Sequence, residues 1–118
     1  MNIRAGHIEI FVKDPMTSMD FYEKILGFSV TEIQHDKFVW MKLGETEFLL
    51  RPGMNKNQTD EYKDSNIGIV IYTYDIMKTK DELEGRGLVF SGTDGSDSCF
   101  TFKDPDGNWF QLTDPQHQ

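Results

Sequence analysis

The sequence predicts an α+β fold: two βαβββ modules forming a curved mixed sheet with a concave cleft, and helices on the convex side. Three observations predict it. A strand, a helix and three strands follow one another in residues 1–52, and the same order returns in residues 66–114. A polar stretch, residues 53–65, separates the two runs and reads as an exposed linker. Landmarks also repeat 61 positions apart: Asp14 with Asp75, Met16 with Met77, and Asp20 with Asp81.

The elements follow in order. Ala5–Val12 alternates as a strand, with His7, Glu9 and Phe11 on one face and Ile8, Ile10 and Val12 on the other. Asp14 then Pro15 starts a helix, a capping carboxylate before a proline that suits the first helical position. Met16, Met19, Tyr22, Ile25 and Leu26 recur at helical spacing, and Gly27 ends the run. Phe28–Gln34, Phe38–Leu43 and Thr46–Arg51 are strands, divided by turns at His35-Asp36 and Gly44-Glu45.

After the linker, Ile67–Thr73 is a strand with Ile67, Ile69 and Ile71 on one face. Asp75 caps a second helix whose apolar side is weak (Ile76, Met77, Lys80, Leu83), and Gly85 and Gly87 stop it. Leu88–Ser91, Ser98–Lys103 and Asn108–Thr113 complete the second module. Ile8, Ile10 and Val12 should pack on the first helix, and Ile67, Ile69 and Ile71 on the second. Burying six such side chains is worth on the order of 10 kcal/mol gross, enough to fix register, since a one-residue slip would expose them all.

Composition narrows the function. The 118 residues fit one domain, 37% apolar and 27% charged, as in soluble globular proteins. No charged leader precedes an apolar run, and Ile67–Tyr72 is far too short to span a membrane. One cysteine, Cys99, precludes an internal disulfide and suits a reducing compartment, so a cytoplasmic location is expected. The net charge of −8 argues against a nucleic-acid partner, which needs a basic surface, and would favour a cationic ligand over an anionic one. Cys99 has no basic neighbour in sequence, no GxSxG motif occurs, and Gly92–Gly95 is followed by no helix bearing a lysine. Covalent catalysis and phosphate cradling are not expected. His117 reads as part of a frayed tail.

Three segments, HIEIFVKDP at His7–Pro15, FYEKILGF at Phe21–Phe28 and DPDGNWFQL at Asp104–Leu112, together resemble the vicinal oxygen chelate superfamily. That superfamily contains glyoxalase I, the fosfomycin and bleomycin resistance proteins and the extradiol dioxygenases. The resemblance covers nearly the whole chain and speaks to fold more than to reaction. It implies a small-molecule cleft and, commonly, a homodimer. In metal-using members four strand residues, His or Gln and Glu, hold one divalent cation. Carried onto this sequence, those positions are His7, about Leu49, about Gly68, and Gln111, where many members have Glu.

Leucine has no donor atom and glycine no side chain, while a catalytic metal usually needs three protein ligands. The expectation is therefore a small-molecule binding protein without the usual metal centre, and no cofactor. The alternative is a glyoxalase-like lyase or isomerase, or a dioxygenase. It would use Zn, Ni, Mn or Fe at a relocated site of His7, Glu9, Glu47 and Gln111, since Glu9 and Glu47 lie about 6–7 Å along their strands from His7 and Leu49. A third reading is a regulatory or accessory domain whose cleft its own side chains fill. The sequence leaves open whether the chain is an enzyme. The expected cleft comprises His7, Glu9, Phe11, Trp40, Glu47, Leu49, Arg51, Tyr72, Trp109 and Gln111. Arg51 is either a salt-bridge partner of Glu9, a grip for an anionic group, or merely solvated. The bound molecule is expected to be aromatic or cationic.

Overall fold

Both predicted helix starts are made by aspartate. In this computed structural model, which describes residues 1–116, the Asp14 carboxylate accepts from the Met16 amide at 3.1 Å and from the Thr17 hydroxyl at 2.9 Å. Asp75 accepts from the Lys78 amide at 3.3 Å. Each cap satisfies amide donors that the first helical turn leaves without a backbone partner. His117 lies outside the described residues. The chain divides into two units, Met1–Met54 and a second from Asn55 onward.

The first unit holds strand β1 (Ile8–Val12), helix α1 (Pro15–Asp20) continued by a wider π-turn (Phe21–Ile25), and strands β2 (Ser29–Gln34), β3 (Phe38–Leu43) and β4 (Thr46–Pro52). The sheet order is β1-β4-β3-β2, with β1 parallel to β4 and the other pairings antiparallel. Gly27, at φ 79°, closes the helical segment, and the Phe28 amide donates to the Tyr22 carbonyl. One sheet face is apolar: Ile10, Val12, Val39, Met41, Phe48 and Leu50 are buried there. Tyr22 and Phe28 join that core, with ring centroids 5.3 Å apart, and Phe28 reaches Phe48 at 5.0 Å. Ile8 is exposed at the strand end, unlike Ile10 and Val12.

The second unit holds strand β5 (Ile69–Tyr72), helix α2 (Ile76–Gly85), and strands β6 (Cys99–Lys103) and β7 (Trp109–Thr113), in the order β5-β7-β6. Again the first strand is parallel to the last, and the last is antiparallel to the one before it. Phe102 and Phe110 stack at 5.2 Å, and Phe90 meets Phe100 and Phe102 edge-on. Lys80 of α2 lays its ammonium over Phe90 and Phe100, which fixes the helix on this face. The α+β class and the repeated strand order are as the sequence predicts.

Two details differ. Ile67 is outside β5 and exposed, so Ile69 and Ile71 alone keep their places in the strand. Leu88–Ser91 forms no strand of its own. The chain there still runs beside β6: the Ser91 amide donates to the Thr101 carbonyl, the Thr101 amide to the Gly92 carbonyl, and Thr93 bridges Phe100. The following run, SGTDGSDS at residues 91–98, explains the break. Small and turn-forming residues, with Gly92 at φ 108°, interrupt a ladder that needs extended backbone throughout.

The DPDGN turn is built on Asp104, which is buried. Its Oδ1 accepts from the Asp106 and Asn108 amides at 2.9 and 2.8 Å, and its Oδ2 from the Asn108 side-chain amide at 2.9 Å. Gly107 takes φ 87°, where any other residue would be strained. The carboxylate thus templates the turn that aims β7, with Trp109, Gln111 and Thr113 on the face opposite Phe110 and Leu112.

Candidate functional site

The two sheets share a register that defines corresponding positions. In the first, Ile8 is paired with Phe48, so His7 precedes the ladder and Leu49 follows on the central strand. In the second, Ile69 is paired with Phe110, so Gly68 and Gln111 take those same places. Each unit therefore has one polar side chain and one residue without donor atoms at these positions.

On the first sheet, parallel pairing sets Glu9 beside Leu49 and Phe11 beside Arg51, and Trp40 lies across from Leu49 on the other side. All of these share the face opposite the aliphatic core. Arg51 Nη1 donates to Glu9 Oε1 at 2.9 Å, and His7 Nε2 lies 2.8 Å from Glu9 Oε2. Both carboxylate oxygens are thus engaged. The hydrogen bond with His7, then that from Arg51, hold the Glu9 carboxyl below its usual range. Of the three roles open to Arg51 in the sequence, the salt bridge with Glu9 is the one the geometry forms.

Aromatic rings surround this chain of polar groups. Trp40 meets the His7 ring edge-on at 4.8 Å. The Arg51 guanidinium lies 5.4 Å from the Phe11 ring centre and 5.9 Å from that of Phe38. Arg51 Nε is buried and has no hydrogen-bond partner, while the side chain as a whole stays 40% exposed. Leu49, 6% exposed, is the apolar floor. Glu47 is exposed, lies two residues before Leu49 on the same face, and is paired across the ladder with Lys42.

On the second sheet, Gln111 is 2% exposed. Its Nε2 donates to Asp94 Oδ2 at 2.9 Å, and its amide is hydrogen-bonded to the Tyr62 hydroxyl. Trp109, 3% exposed, donates its indole N–H to the Thr59 carbonyl and hydroxyl, and meets the Tyr62 ring edge-on at 6.1 Å. Burial first, then the Asp94 charge, pushes the Tyr62 phenol above its usual range. Tyr72 shares this face but is 59% exposed. Cys99 is buried with its thiol 3.0 Å from the Thr113 hydroxyl, a structural role.

A family model for the Glyoxalase/Bleomycin resistance protein/Dioxygenase superfamily matches residues 4–112. The chain belongs to that superfamily. Solved structures of the same fold include a lactoylglutathione lyase from Agrobacterium tumefaciens, at 15% identity and a TM-score of 0.73, covering 98% of both chains. They also include TnmS3, an antibiotic binding protein from a Streptomyces species, at 21% identity and a TM-score of 0.72, covering 97% of this chain and 99% of that one. A virulence protein from Salmonella typhimurium is similar at 19% identity and a TM-score of 0.70, covering 97% and 98%. At such identities the likeness establishes the fold. No curated protein sequence matches the chain.

The donor set of this glyoxalase-superfamily protein does not fit the metal the superfamily commonly holds. Leu49 and Gly68 offer no donor atoms, and Gln111 is engaged by Asp94 and Tyr62. Glu9, the nearest substitute donor to His7, has both oxygens taken. Among the described residues no three or more His, Cys, Asp or Glu side chains gather as a metal would require.

Tyr62, Thr59, Asp94 and Phe38 belong to these surfaces, beyond the residues the sequence points to. Tyr62 and Thr59 fall in the polar stretch expected to be an exposed linker, yet both seat on the second sheet. One signal was present: Tyr62 is the lone aromatic in residues 53–65.

Proposed function

We propose that the chain is a small-molecule binding protein of the glyoxalase/bleomycin-resistance type that works without the superfamily's usual metal centre. It binds an aromatic ligand on the exposed face of its first sheet. The observation that carries this is the Arg51–Glu9–His7 chain set among Phe11, Phe38 and Trp40. Apolar walls with a few fixed polar groups are the usual make-up of small-molecule sites. The rings of Phe11, Phe38 and Trp40 offer stacking surface for an aromatic ligand. Arg51 balances the Glu9 charge, while exposed Glu32 and Glu47 on the same face would add attraction for a ligand that also carries positive charge. The likeness to TnmS3, an antibiotic binding protein, supports small-molecule binding, and the protein is expected to act as a homodimer, which light scattering after size-exclusion chromatography tests.

The experiment is a thermal-shift and calorimetric screen of aromatic and cationic small molecules against the folded wild type and Trp40→Ala. Aromatic hits that weaken about fivefold or more in Trp40→Ala support the reading, since stacked contacts of this kind are worth about 1 kcal/mol or more. A folded protein that binds nothing in a broad panel contradicts it.

A second reading, a metal-dependent lyase, isomerase or dioxygenase built on His7, Glu9, Glu47 and Gln111, has one observation in its favour: His7 and Glu9 bring two donor atoms within 2.8 Å. Metal there would have to draw Glu9 away from Arg51. Loss of metal affinity in both His7→Ala and Gln111→Ala would support it.

A further inference from the structure

Gly68 immediately precedes the edge strand of the second sheet, at the position His7 holds in the first. A Cβ placed on Gly68 would collide with the hydroxyl and ring of Tyr62. The space a side chain would take at this position is thus filled by a phenol from another part of the chain. The backbone of Gly68 has no positive φ to demand glycine, so the requirement is room for that ring.

The surroundings of the ring are complete. Trp109 lies edge-on to it at 6.1 Å, the Gln111 amide meets its hydroxyl, and Asp94 at 2.9 Å from Gln111 Nε2 fixes how that buried amide points. Beyond it lies a cavity of about 370 Å³, bordered by Tyr62, Asp94, Ser91, Thr93 and Thr101. The segment that carries Tyr62 is fastened on both sides. Thr59 accepts from Trp109, Gln58 donates to the Asp106 carbonyl at 3.1 Å, and the Ser65 hydroxyl donates to the Tyr62 carbonyl at 2.7 Å. With its backbone held, the Tyr62 side chain can leave by rotation about its own bonds.

We propose that Gly68, Trp109, Gln111 and Asp94 form a phenol-binding subsite, filled from within by Tyr62 and open to a phenolic small molecule when that side chain swings aside. Glycine supplies the floor, the indole an edge contact, and the Gln111 amide reads the hydroxyl. An aromatic pair of this kind and one hydrogen bond each add to burial of the ring. Exchange of an internal phenol for an external one conserves both. The site would therefore discriminate phenols from plain benzenoid rings, because a ring without the hydroxyl leaves the buried Gln111 amide with one partner fewer.

The test is binding of phenol itself to Tyr62→Ala, followed by calorimetry and thermal shift. Phenol should occupy one site in Tyr62→Ala, raise its melting temperature, and bind about tenfold or more tightly than benzene. Adding Gly68→Val should abolish that binding by filling the hole. A folded Tyr62→Ala that ignores phenol, or binds it no better than benzene, overturns the proposal. Should Tyr62→Ala fail to fold, Gly68→Ala decides. Its methyl must drive the ring out, changing Trp109 emission and speeding hydrogen exchange across residues 59–65; a variant identical to wild type in both overturns it. Neither result bears on the first-sheet reading, which rests on other residues.

Discussion

Arg51 and Glu9 sit on parallel neighbouring strands, two residues out of register, and the guanidinium reaches back to the carboxylate at 2.9 Å. That single link turns a carboxylate flanked by Ile8 and Ile10 into the centre of a polar row. It also aligns Arg51 between Phe11 and Phe38. The row gives the first sheet its chemical character, and most of the site's expected behaviour follows from it.

The Glu9 carboxyl is held below its ordinary value of 4.5 by His7 and Arg51. A carboxyl with a lowered folded-state pKa adds stability that is present above its unfolded pKa and lost as pH falls through the folded one. Glu9→Gln should therefore be less stable than wild type at neutral pH. The gap should close as pH falls through and below the ordinary carboxylate range. Urea melts of both proteins at several pH values check this; a gap that stays constant into acid would contradict it.

Arg51→Lys keeps the charge opposite Glu9 but loses the planar group between the two phenylalanines. Aromatic ligands found in the screen should bind several-fold more weakly to it, while the fold is retained. Calorimetric titration with the best ligand measures the change.

Asp104→Ala should cost about 2–3 kcal/mol, because it strips two backbone amides and the Asn108 side chain of one shared acceptor in a buried turn. Asp104→Asn should cost less. Chemical denaturation of both variants gives the comparison, and equal stability of Asp104→Ala and wild type would refute the templating role.

Trp109→Phe keeps most of the buried ring and loses the indole donor to Thr59. A loss of about 1–2 kcal/mol is expected. Hydrogen exchange should quicken around Thr59 and Tyr62 more than in α2 or β6, which a peptide-resolved exchange experiment reports.

The strands and caps were legible because they obey local rules. Asp14-Pro15 and Asp75 cap helices by short-range geometry, and the alternation in HIEIFV assigns faces that the parallel pairing to β4 then keeps. Trp40 and Arg51 fell on the expected face for the same reason. The segment at residues 88–91 was less legible. Its composition permits a strand, but the glycines after it decide where the ladder breaks. Tyr62 was hidden more deeply. Its place depends on a glycine six residues later and on a tryptophan far along the chain, and no periodicity in a polar loop encodes such a contact. Asp94 was hidden likewise: it reaches Gln111 across the sheet from a loop with no pattern of its own.

The central claim is that this chain holds its ligand without the superfamily's usual metal. The most direct measurement is elemental analysis of untagged protein, followed by calorimetric titration of the metal-free form with Zn, Ni, Mn, Co and Fe(II). The account predicts no stoichiometric site, because Leu49 and Gly68 carry no donors and Gln111 and Glu9 are engaged elsewhere. One equivalent bound at micromolar affinity or tighter, and lost in both His7→Ala and Gln111→Ala, would contradict it.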